Sequence, residues 1–251
     1  MLELNHITAG YGKRTVLSDL SVSFPRGSVT SVIGANGCGK STLLKTMLGI
    51  VKLTDGEILA DGERLSSLKR TDVAKRIAYL AQGTSVPDMT VAQLVLHGRF
   101  PHLRYPKRYT EGDKKIAHAA MERMGIVELA EVPMPALSGG MRQNAYLAMA
   151  LAQDTDYILL DEPTTYLDVA HQLSFLKLLR GLAKEGKSIV TVTHDLPMAF
   201  TFSDRIAVIH GQRCVMQAPP REVAASPVLP DILQVSVERD PETGVYFYRY
   251  G

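Results

Sequence analysis

The sequence predicts an α/β fold with a mainly parallel sheet, interrupted by a helical insertion. Three observations support this. Runs typical of buried strands occur at 28–33, 157–160, 188–193 and 205–209, and the first of them is mostly β-branched. Helical patterns alternate with these runs near 41–49, 170–184 and 197–202, as they do in parallel α/β sheets. From about 90 to 153 the pattern is mostly helical, which indicates an insertion into the α/β core.

The first sixty residues predict short strands. Leu20, Val22 and Phe24 alternate with polar residues, and a Pro-Arg-Gly sequence ends that run. Ile58–Ala60 precede Asp61-Gly62, which predicts a strand entering a tight turn. A hairpin is expected around Gly211-Gln212.

Two helices are predicted within the insertion, at 114–124 and at 141–152. In the second helix, 3.6-residue spacing places apolar side chains on one face, namely Met141, Ala145, Ala148 or Met149, and Ala152.

Composition narrows the class of protein. The 251 residues include 45% hydrophobic and 22% charged residues, which is ordinary for a globular chain. The net charge of +2 and the absence of a long Lys/Arg run give no case for nucleic acid. Two cysteines favour a reducing compartment. There is no signal-peptide pattern, and no apolar run approaches the roughly 20 residues that span a bilayer, so we expect the chain to reach a membrane only through a partner.

A phosphate-binding motif occupies Gly34–Thr42 and matches G-x-x-x-x-G-K-[ST]. It lies between a predicted strand and a predicted helix, which is the context that gives this motif its meaning. The glycines allow backbone N–H groups to surround a phosphate, and the helix start adds the positive end of its dipole. We expect Lys40 to reach the β- and γ-phosphates, Ser41 to bind Mg²⁺, and Cys38 to act as a spacer. A chance glycine-rich turn is the alternative.

Two acidic residues follow the apolar strand at 157–160. A buried carboxylate is costly unless a cation compensates it, so Asp161 is expected to help bind Mg²⁺. Glu162 is then the candidate base for an attacking water. The alternative is a solvent-exposed turn at Asp161-Glu162-Pro163. The phosphate loop upstream favours the catalytic interpretation.

A second anion site is predicted at the heptapeptide from Leu137 to Gln143. Ser138 can cap the following helix, and Gly139 and Gly140 leave bare N–H groups at its start. The presence of two phosphate sites and one hydrolytic carboxylate is explained if each phosphate site binds a different ATP molecule.

These motifs and their order resemble the ATP-binding cassette (ABC) family, whose signature motif is this heptapeptide. The resemblance covers essentially the whole chain. It implies a P-loop NTPase (RecA-like) core with an antiparallel β subdomain at 1–82 and 154–251, and an inserted helical subdomain at 83–153. It also implies a head-to-tail dimer with ATP between one copy's phosphate loop and the other's signature.

The resemblance assigns further roles. It implies that Gln82 senses Mg²⁺ and that His194 contacts the γ-phosphate, so that Glu162, His194 and Gln82 are catalytic. It places Ser41, Gln82 and Asp161 around Mg²⁺. In Tyr166-Leu167-Asp168 it implies that Asp168 reaches across the dimer. The expected ATP ligands are Tyr11, Asn36, Gly37, Cys38, Gly39, Lys40, Ser41 and Thr42 in one copy, and Ser138, Gly139, Gly140 and Asp168 in the other.

Four of these residues also have a structural alternative. Tyr11, expected to stack on adenine, could be a packed aromatic at a strand end. Gln82 could be a solvated loop residue, Asp168 a helix N-terminal acid, and His194 a structural histidine. Met141 and Asn144 depart from the family pattern, where Gln and a basic residue are common. We expect ATPase function to survive both departures.

Two stretches indicate a branch of the family. His97–His102 resembles a segment of the importers for iron chelates, haem and cobalamin. Asp161–Asp168 followed by His171-Gln172 resembles the ferric-siderophore branch in particular, including ferric citrate importers, and haem and cobalamin importers are the alternatives. The implied partners are a second copy, membrane permease subunits and, indirectly, a periplasmic or lipoprotein binding protein, with no nucleic acid. The implied location is the cytoplasmic face of the inner membrane.

A permease-binding groove is predicted after Gln82. Val91, Leu94, Val95 and Arg99 are the candidate lining, and ordinary core packing of the three apolar residues is the alternative.

Two competing functions remain. A soluble cassette ATPase acting on nucleic acid or ribosomes usually has two cassettes or basic arms. The other is a small-molecule phosphotransferase that uses the same phosphate loop, and the signature motif and His194 of this chain argue against it.

Overall fold

The computed structural model describes residues 1–83, 85–165 and 167–250, without the side chains of Val169 and Tyr250. Internal contacts divide the chain into two compact units, which are described separately. The first comprises Met1–Leu68 and Leu176–Gly251, and the second comprises Lys69–Phe175. The functional division at 82 and 153 stays a prediction.

An antiparallel sheet opens the first unit. Its four strands lie in the order β2-β1-β4-β5. The apolar residues of β1 and β2 that alternate in sequence are buried, so they form one face. The bounds are β1 Leu2–Tyr11, β2 Arg14–Phe24, β4 Leu53–Ala60 and β5 Glu63–Arg64.

Parallel strands carry the phosphate loop in the same unit. Strand β3, Ser28–Ile33, pairs in parallel with β8, Ser188–Val192, and with β9, Arg205–His210. Residues 29–33 of β3 and all of β8 are buried, which explains why both strands consist mostly of β-branched residues. Strand β10, Arg213–Ala218, returns antiparallel to β9 and confirms the predicted hairpin.

Short helices and a terminal hairpin complete this unit. The core beside β3 and β9 includes Phe200 and Tyr246, whose ring centroids lie 5.5 Å apart. The elements are α1 Lys40–Met47, α7 Leu196–Phe202, α8 Pro220–Ala225, α9 Val228–Leu233, β11 Val235–Arg239 and β12 Tyr246–Tyr250.

The second unit is mainly helical and contains the parallel strands β6, Ile77–Leu80, and β7, Tyr157–Asp161. Every residue of β7 is buried. Capping boxes formed by Thr90 and Thr110 begin its helices α3 and α4. The helices are α2 Arg70–Ala74, α3 Val91–His97, α4 Glu111–Arg123 and α5 Gly139–Ala152, while α6 Val169–Lys184 crosses the boundary between the units.

The predicted permease groove is wrong in its lining residues. Val91, Leu94 and Val95 are at most 5% exposed, so they belong to the core. Arg99 is also buried: its Nε donates to Asp113 Oδ1 at 3.1 Å, and its Nη1 donates to the Ala152 carbonyl at 2.9 Å. Helical spacing shows which residues share a face, but both a core and a partner would select apolar side chains there.

The Arg99–Asp113 ion pair predicts a measurable loss of stability. Replacing Arg99 with Met leaves a buried carboxylate without its cation, and we expect a loss of about 3 kcal/mol in the free energy of unfolding. Urea denaturation at pH 7 measures this loss. The double variant Arg99→Met/Asp113→Leu should recover part of it, because no charge is then buried alone.

The contribution of this ion pair to the free energy of unfolding depends on pH. The backbone N–H and hydroxyl of Thr110, and then Arg99, lower the pKa of Asp113 below its usual value. Its stabilising contribution is therefore complete at neutral pH and is lost as the pH falls through the lowered pKa. Arg99→Met should thus cost less at acidic pH than at pH 7. An equal loss of unfolding free energy at acidic pH and at pH 7 would contradict a stabilising ion pair between Arg99 and Asp113.

Candidate functional site

The phosphate loop requires glycine at two positions. Gly39, which precedes α1, has φ of 108°, and a Cβ there would lie 2.8 Å from Leu17 Cδ2. A Cβ on Gly34 would lie 2.3 Å from the carbonyl oxygen of Ile209. A side chain at Gly34 would clash with fixed backbone, and one at Gly39 would be strained by the positive φ, so the loop's path depends on both glycines. Ala35, Asn36 and Gly37 between them are exposed.

Lys40 is held inside this loop. Its side chain donates to the carbonyl oxygens of Gly34, at 2.8 Å, and Ala35, at 3.1 Å, and the residue is only 7% exposed. Thr42 is buried and Ser41 is half-buried in the first turn of α1. The loop therefore combines a fixed cation with the N-terminus of a helix, an arrangement suited to phosphate.

Cys38 has little thiolate character in this loop. Burial raises the pKa of its thiol above the ordinary value, and this effect outweighs the nearby Lys40 charge. The thiol is therefore protonated near neutral pH, which fits a spacer better than a nucleophile.

Tyr11 ends β1 at the turn into β2 and is 50% exposed. The packed-aromatic alternative does not describe this side chain. An exposed aromatic ring provides a face on which a planar base can stack.

The two candidate carboxylates differ in environment. Asp161, the last residue of β7, is 4% exposed and lies 3.4 Å from the hydroxyl of Tyr79. Glu162 is half-buried and follows with φ of 48°, in the left-handed region that non-glycine residues seldom adopt. Backbone strain of this kind clusters at functional sites.

Gln82 contacts the candidate base. Its Nε2 donates to Glu162 Oε2 at 2.6 Å, although the two residues are eighty positions apart in the chain. Gln82 is exposed, yet it is more than a solvated loop residue, because its amide orients the Glu162 carboxylate.

The signature segment forms the N-terminus of α5. Ser138 accepts a hydrogen bond from the Met141 N–H at 3.3 Å, which confirms the predicted cap. Ala145, Ala148 and Ala152 are fully buried as expected. Met141 is 45% exposed, so placing it on the buried face was wrong. Met141 lies in the first turn of the helix, while the buried part of this face begins at Ala145.

Two further residues fix α5 to its surroundings. The Gln143 amide donates to the Pro163 carbonyl at 2.8 Å, directly after Glu162. The Tyr146 hydroxyl donates to the Ser85 carbonyl at 3.0 Å, in the segment after Gln82. Neither contact is evident from the sequence alone. A buried tyrosine usually needs a hydrogen-bond partner, which was the available signal for Tyr146.

A cleft of about 440 Å³ brings these elements together within the second unit. Both candidate carboxylates and Arg142 line it. Its lining includes Gln82, Gly139, Arg142, Gln143, Asp161 and Glu162.

Asp168 and His194 lie at the starts of helices. The Asp168 carboxylate accepts from the backbone N–H of His171 at 2.9 Å and also contacts its ring, so the helix N-terminal alternative describes its position. The backbone N–H of His171, and then its ring, lower the pKa of Asp168. His194 is exposed between β8 and α7. Tyr166 lies outside the described residues.

Among the described residues, no group of three or more His, Cys, Asp or Glu side chains could hold a metal ion. The predicted Mg²⁺ donors are one carboxylate, one hydroxyl and one amide. This set fits a cation that obtains most of its oxygen ligands from phosphates and water. No described helix is long and apolar enough to cross a bilayer.

Sequence comparisons place these features in a family. The ABC transporter family model matches residues 17–165. The iron(3+)-hydroxamate import ATP-binding protein of Bacillus subtilis is 42% identical over 96% of this chain and 91% of its own length. The petrobactin import ATP-binding protein of Bacillus anthracis is 41% identical over 97% of this chain and 90% of its own length.

Solved structures share the fold. An ABC transporter of metal-chelate type in an inward-facing conformation matches with a TM-score of 0.82 and 27% identity, covering 99% of this chain and 95% of its own. A dimeric ATP-binding cassette in a post-hydrolysis state, bound to ADP and Pi, matches with a TM-score of 0.76 and 26% identity, covering 88% and 99%. The predicted α/β fold with an antiparallel sheet and helical parts is confirmed.

Proposed function

Because this chain belongs to the ABC transporter family, we propose that it is the ATP-hydrolysing subunit of an importer for iron chelates of the siderophore class. The observation that carries the ATPase assignment is the geometry of Glu162, which is a strained, half-buried carboxylate held by Gln82. The cargo assignment rests on the relatives, since two of them import ferric hydroxamates and petrobactin.

We infer the following division of labour. The phosphate loop binds the β- and γ-phosphates through its backbone N–H groups and Lys40, while Tyr11 stacks on the adenine. Glu162 accepts a proton from the attacking water, and Gln82 keeps the carboxylate oriented. His194 contacts the γ-phosphate. Ser41, Gln82 and Asp161 are the residues that would hold Mg²⁺, and the ion would neutralise phosphate charge.

A second copy of the chain completes each site in this proposal. Ser138, Gly139 and Gly140 present free N–H groups at the start of α5, a 14-residue helix, and so offer a phosphate site. Asp168 is the residue expected to reach the neighbouring copy. The dimeric cassette with bound ADP and Pi supports this arrangement.

Closure of two copies on ATP would then drive separate permease subunits at the cytoplasmic face of the membrane. A periplasmic or lipoprotein binding protein would deliver the cargo. Cobalamin is the second candidate cargo, because the cobalamin import ATP-binding protein of Halobacterium salinarum is 38% identical over 91% of this chain. That match covers only 58% of the relative, so iron chelates are favoured.

An uptake assay tests the cargo. A strain lacking this gene should take up labelled ferric hydroxamates or catecholates poorly, and the wild-type gene should restore uptake while the Glu162→Gln variant should not. Unchanged chelate uptake together with lost cobalamin uptake would reject the iron assignment.

Tyr11→Ala should weaken ATP binding through the loss of base stacking. Stacking of a base on an aromatic ring contributes about 1–3 kcal/mol, so we expect KM for ATP to rise roughly tenfold with little change in kcat. Tyr11→Phe retains the ring and should behave like the wild type. A fall in kcat at unchanged KM would instead indicate a role away from the base. ATPase assays over a range of ATP concentrations separate these results.

A further inference from the structure

The connection between α3 and α4 is a loop with a firmly held base. The buried Arg99–Asp113 pair and the Arg99 bond to the Ala152 carbonyl fix its two ends. The His102 ring donates to the Gln153 carbonyl at 2.9 Å, which adds a third attachment to the end of α5. These contacts hold the base of the loop in one position against the helices.

The tip of this loop is basic and aromatic. Arg104, Lys107 and Arg108 are exposed, and Tyr105 between them is 98% exposed. Lys107 Nζ lies 4.2 Å from the centre of the Phe100 ring, which is itself 49% exposed. Within the described part of the chain, no carboxylate forms an ion pair with the three basic side chains of the tip.

Positive charge is concentrated around this tip. Residues 99–118 contain six Lys and Arg against two acidic residues, a formal charge of +4. The whole chain carries only +2, so the rest of the protein is slightly acidic. Exposing the apolar ring of a tyrosine to water is unfavourable. Tyr is enriched at membrane interfaces, where its ring contacts lipid and its hydroxyl stays hydrated.

We propose that this tip, residues 103–109, binds the surface of an anionic membrane directly, without the permease. Arg104, Lys107 and Arg108 pair with lipid phosphates while Tyr105 enters the headgroup layer. Cytoplasmic leaflets are negatively charged and attract clustered Lys and Arg. The proposal rests on the proposed function only for the location of the chain beside a membrane.

Vesicle sedimentation of the full chain tests this. We expect binding to vesicles containing about one third phosphatidylglycerol, weak binding to pure phosphatidylcholine, and release by high salt. Replacing Arg104, Lys107 and Arg108 together with Gln should weaken binding roughly a hundredfold, at about fivefold per charge. Tyr105→Ser should weaken it severalfold, including at high salt.

A matched control keeps the change in net charge and moves it elsewhere. Replacing the exposed Lys52, Lys177 and Arg221 with Gln should leave most of the vesicle binding intact. Equal losses for the two triple variants would overturn the proposal. A second result would also overturn it: the tip variant binds vesicles normally but no longer forms a complex with the permease in detergent. That result would indicate an acidic protein partner. ATPase activity of the free chain should be unchanged in the tip variant, so failure here is distinguishable from failure of the proposed function.

Discussion

Replacing Glu162 with Gln should reduce ATP turnover by about 10²- to 10⁴-fold, the usual contribution of a positioned general base. The amide keeps the size of the side chain and can still accept the hydrogen bond from Gln82, which is 2.6 Å long in the native chain. It cannot accept the proton of the attacking water. ATP affinity should therefore be retained, and the ATP-bound dimer should accumulate because the hydrolysis that opens it is slow.

Phosphate release and size-exclusion chromatography with ATP measure the two effects. Glu128→Gln is a matched control, because Glu128 is exposed in a 3₁₀ turn of the same unit. It should retain normal turnover. If the Glu162→Gln variant turns over ATP within a fewfold of the wild-type rate, Glu162 is not the general base, regardless of the variant's affinity for ATP.

Replacing Lys40 with Met should abolish ATP binding at ordinary concentrations. The lysine supplies charge-assisted hydrogen bonds to phosphate, each contributing roughly 1.5–3 kcal/mol, so affinity should fall about a hundredfold or more. In the structure the same ammonium group donates to the Gly34 and Ala35 carbonyls, so the variant also loses contacts that shape the loop.

The effect on binding can be separated from an effect on folding. Equilibrium binding of a fluorescent ATP analogue measures affinity, and thermal unfolding without nucleotide reports the loop's own contribution. Lys45→Met, one turn or so further along α1, is the control and should bind normally. Tight ATP binding by Lys40→Met would contradict the role given to the phosphate loop.

The sequence predicted the strands and the phosphate loop well because both depend on local patterns. The run at Ser28–Ile33 forms β3 with the predicted bounds, and the motif after it forms a loop entering α1. The apolar pattern of α5 also identifies its buried face, except at Met141, which lies in the first turn and is 45% exposed.

Long-range contacts could not be predicted in the same way. Nothing near Gln82 in the sequence indicates that its amide meets Glu162, eighty residues later. A clear local pattern can also be ambiguous, as it is for Val91, Leu94 and Val95. A protein core and a partner-binding groove both select apolar residues at helical spacing. Only their burial separates the two, and it assigns them to the core.

Mixing two inactive variants tests the composite site most directly. Lys40→Met disables the phosphate loop, and Ser138→Arg blocks the signature. If each site combines one copy's loop with the other's signature, a mixed dimer contains one fully intact site and one doubly damaged site. Random mixing should then restore about a quarter of wild-type ATPase activity, because half the dimers are mixed and each has one of two sites intact. No recovery in a mixture that demonstrably exchanges subunits would mean that loop and signature act within one chain, and would contradict the account.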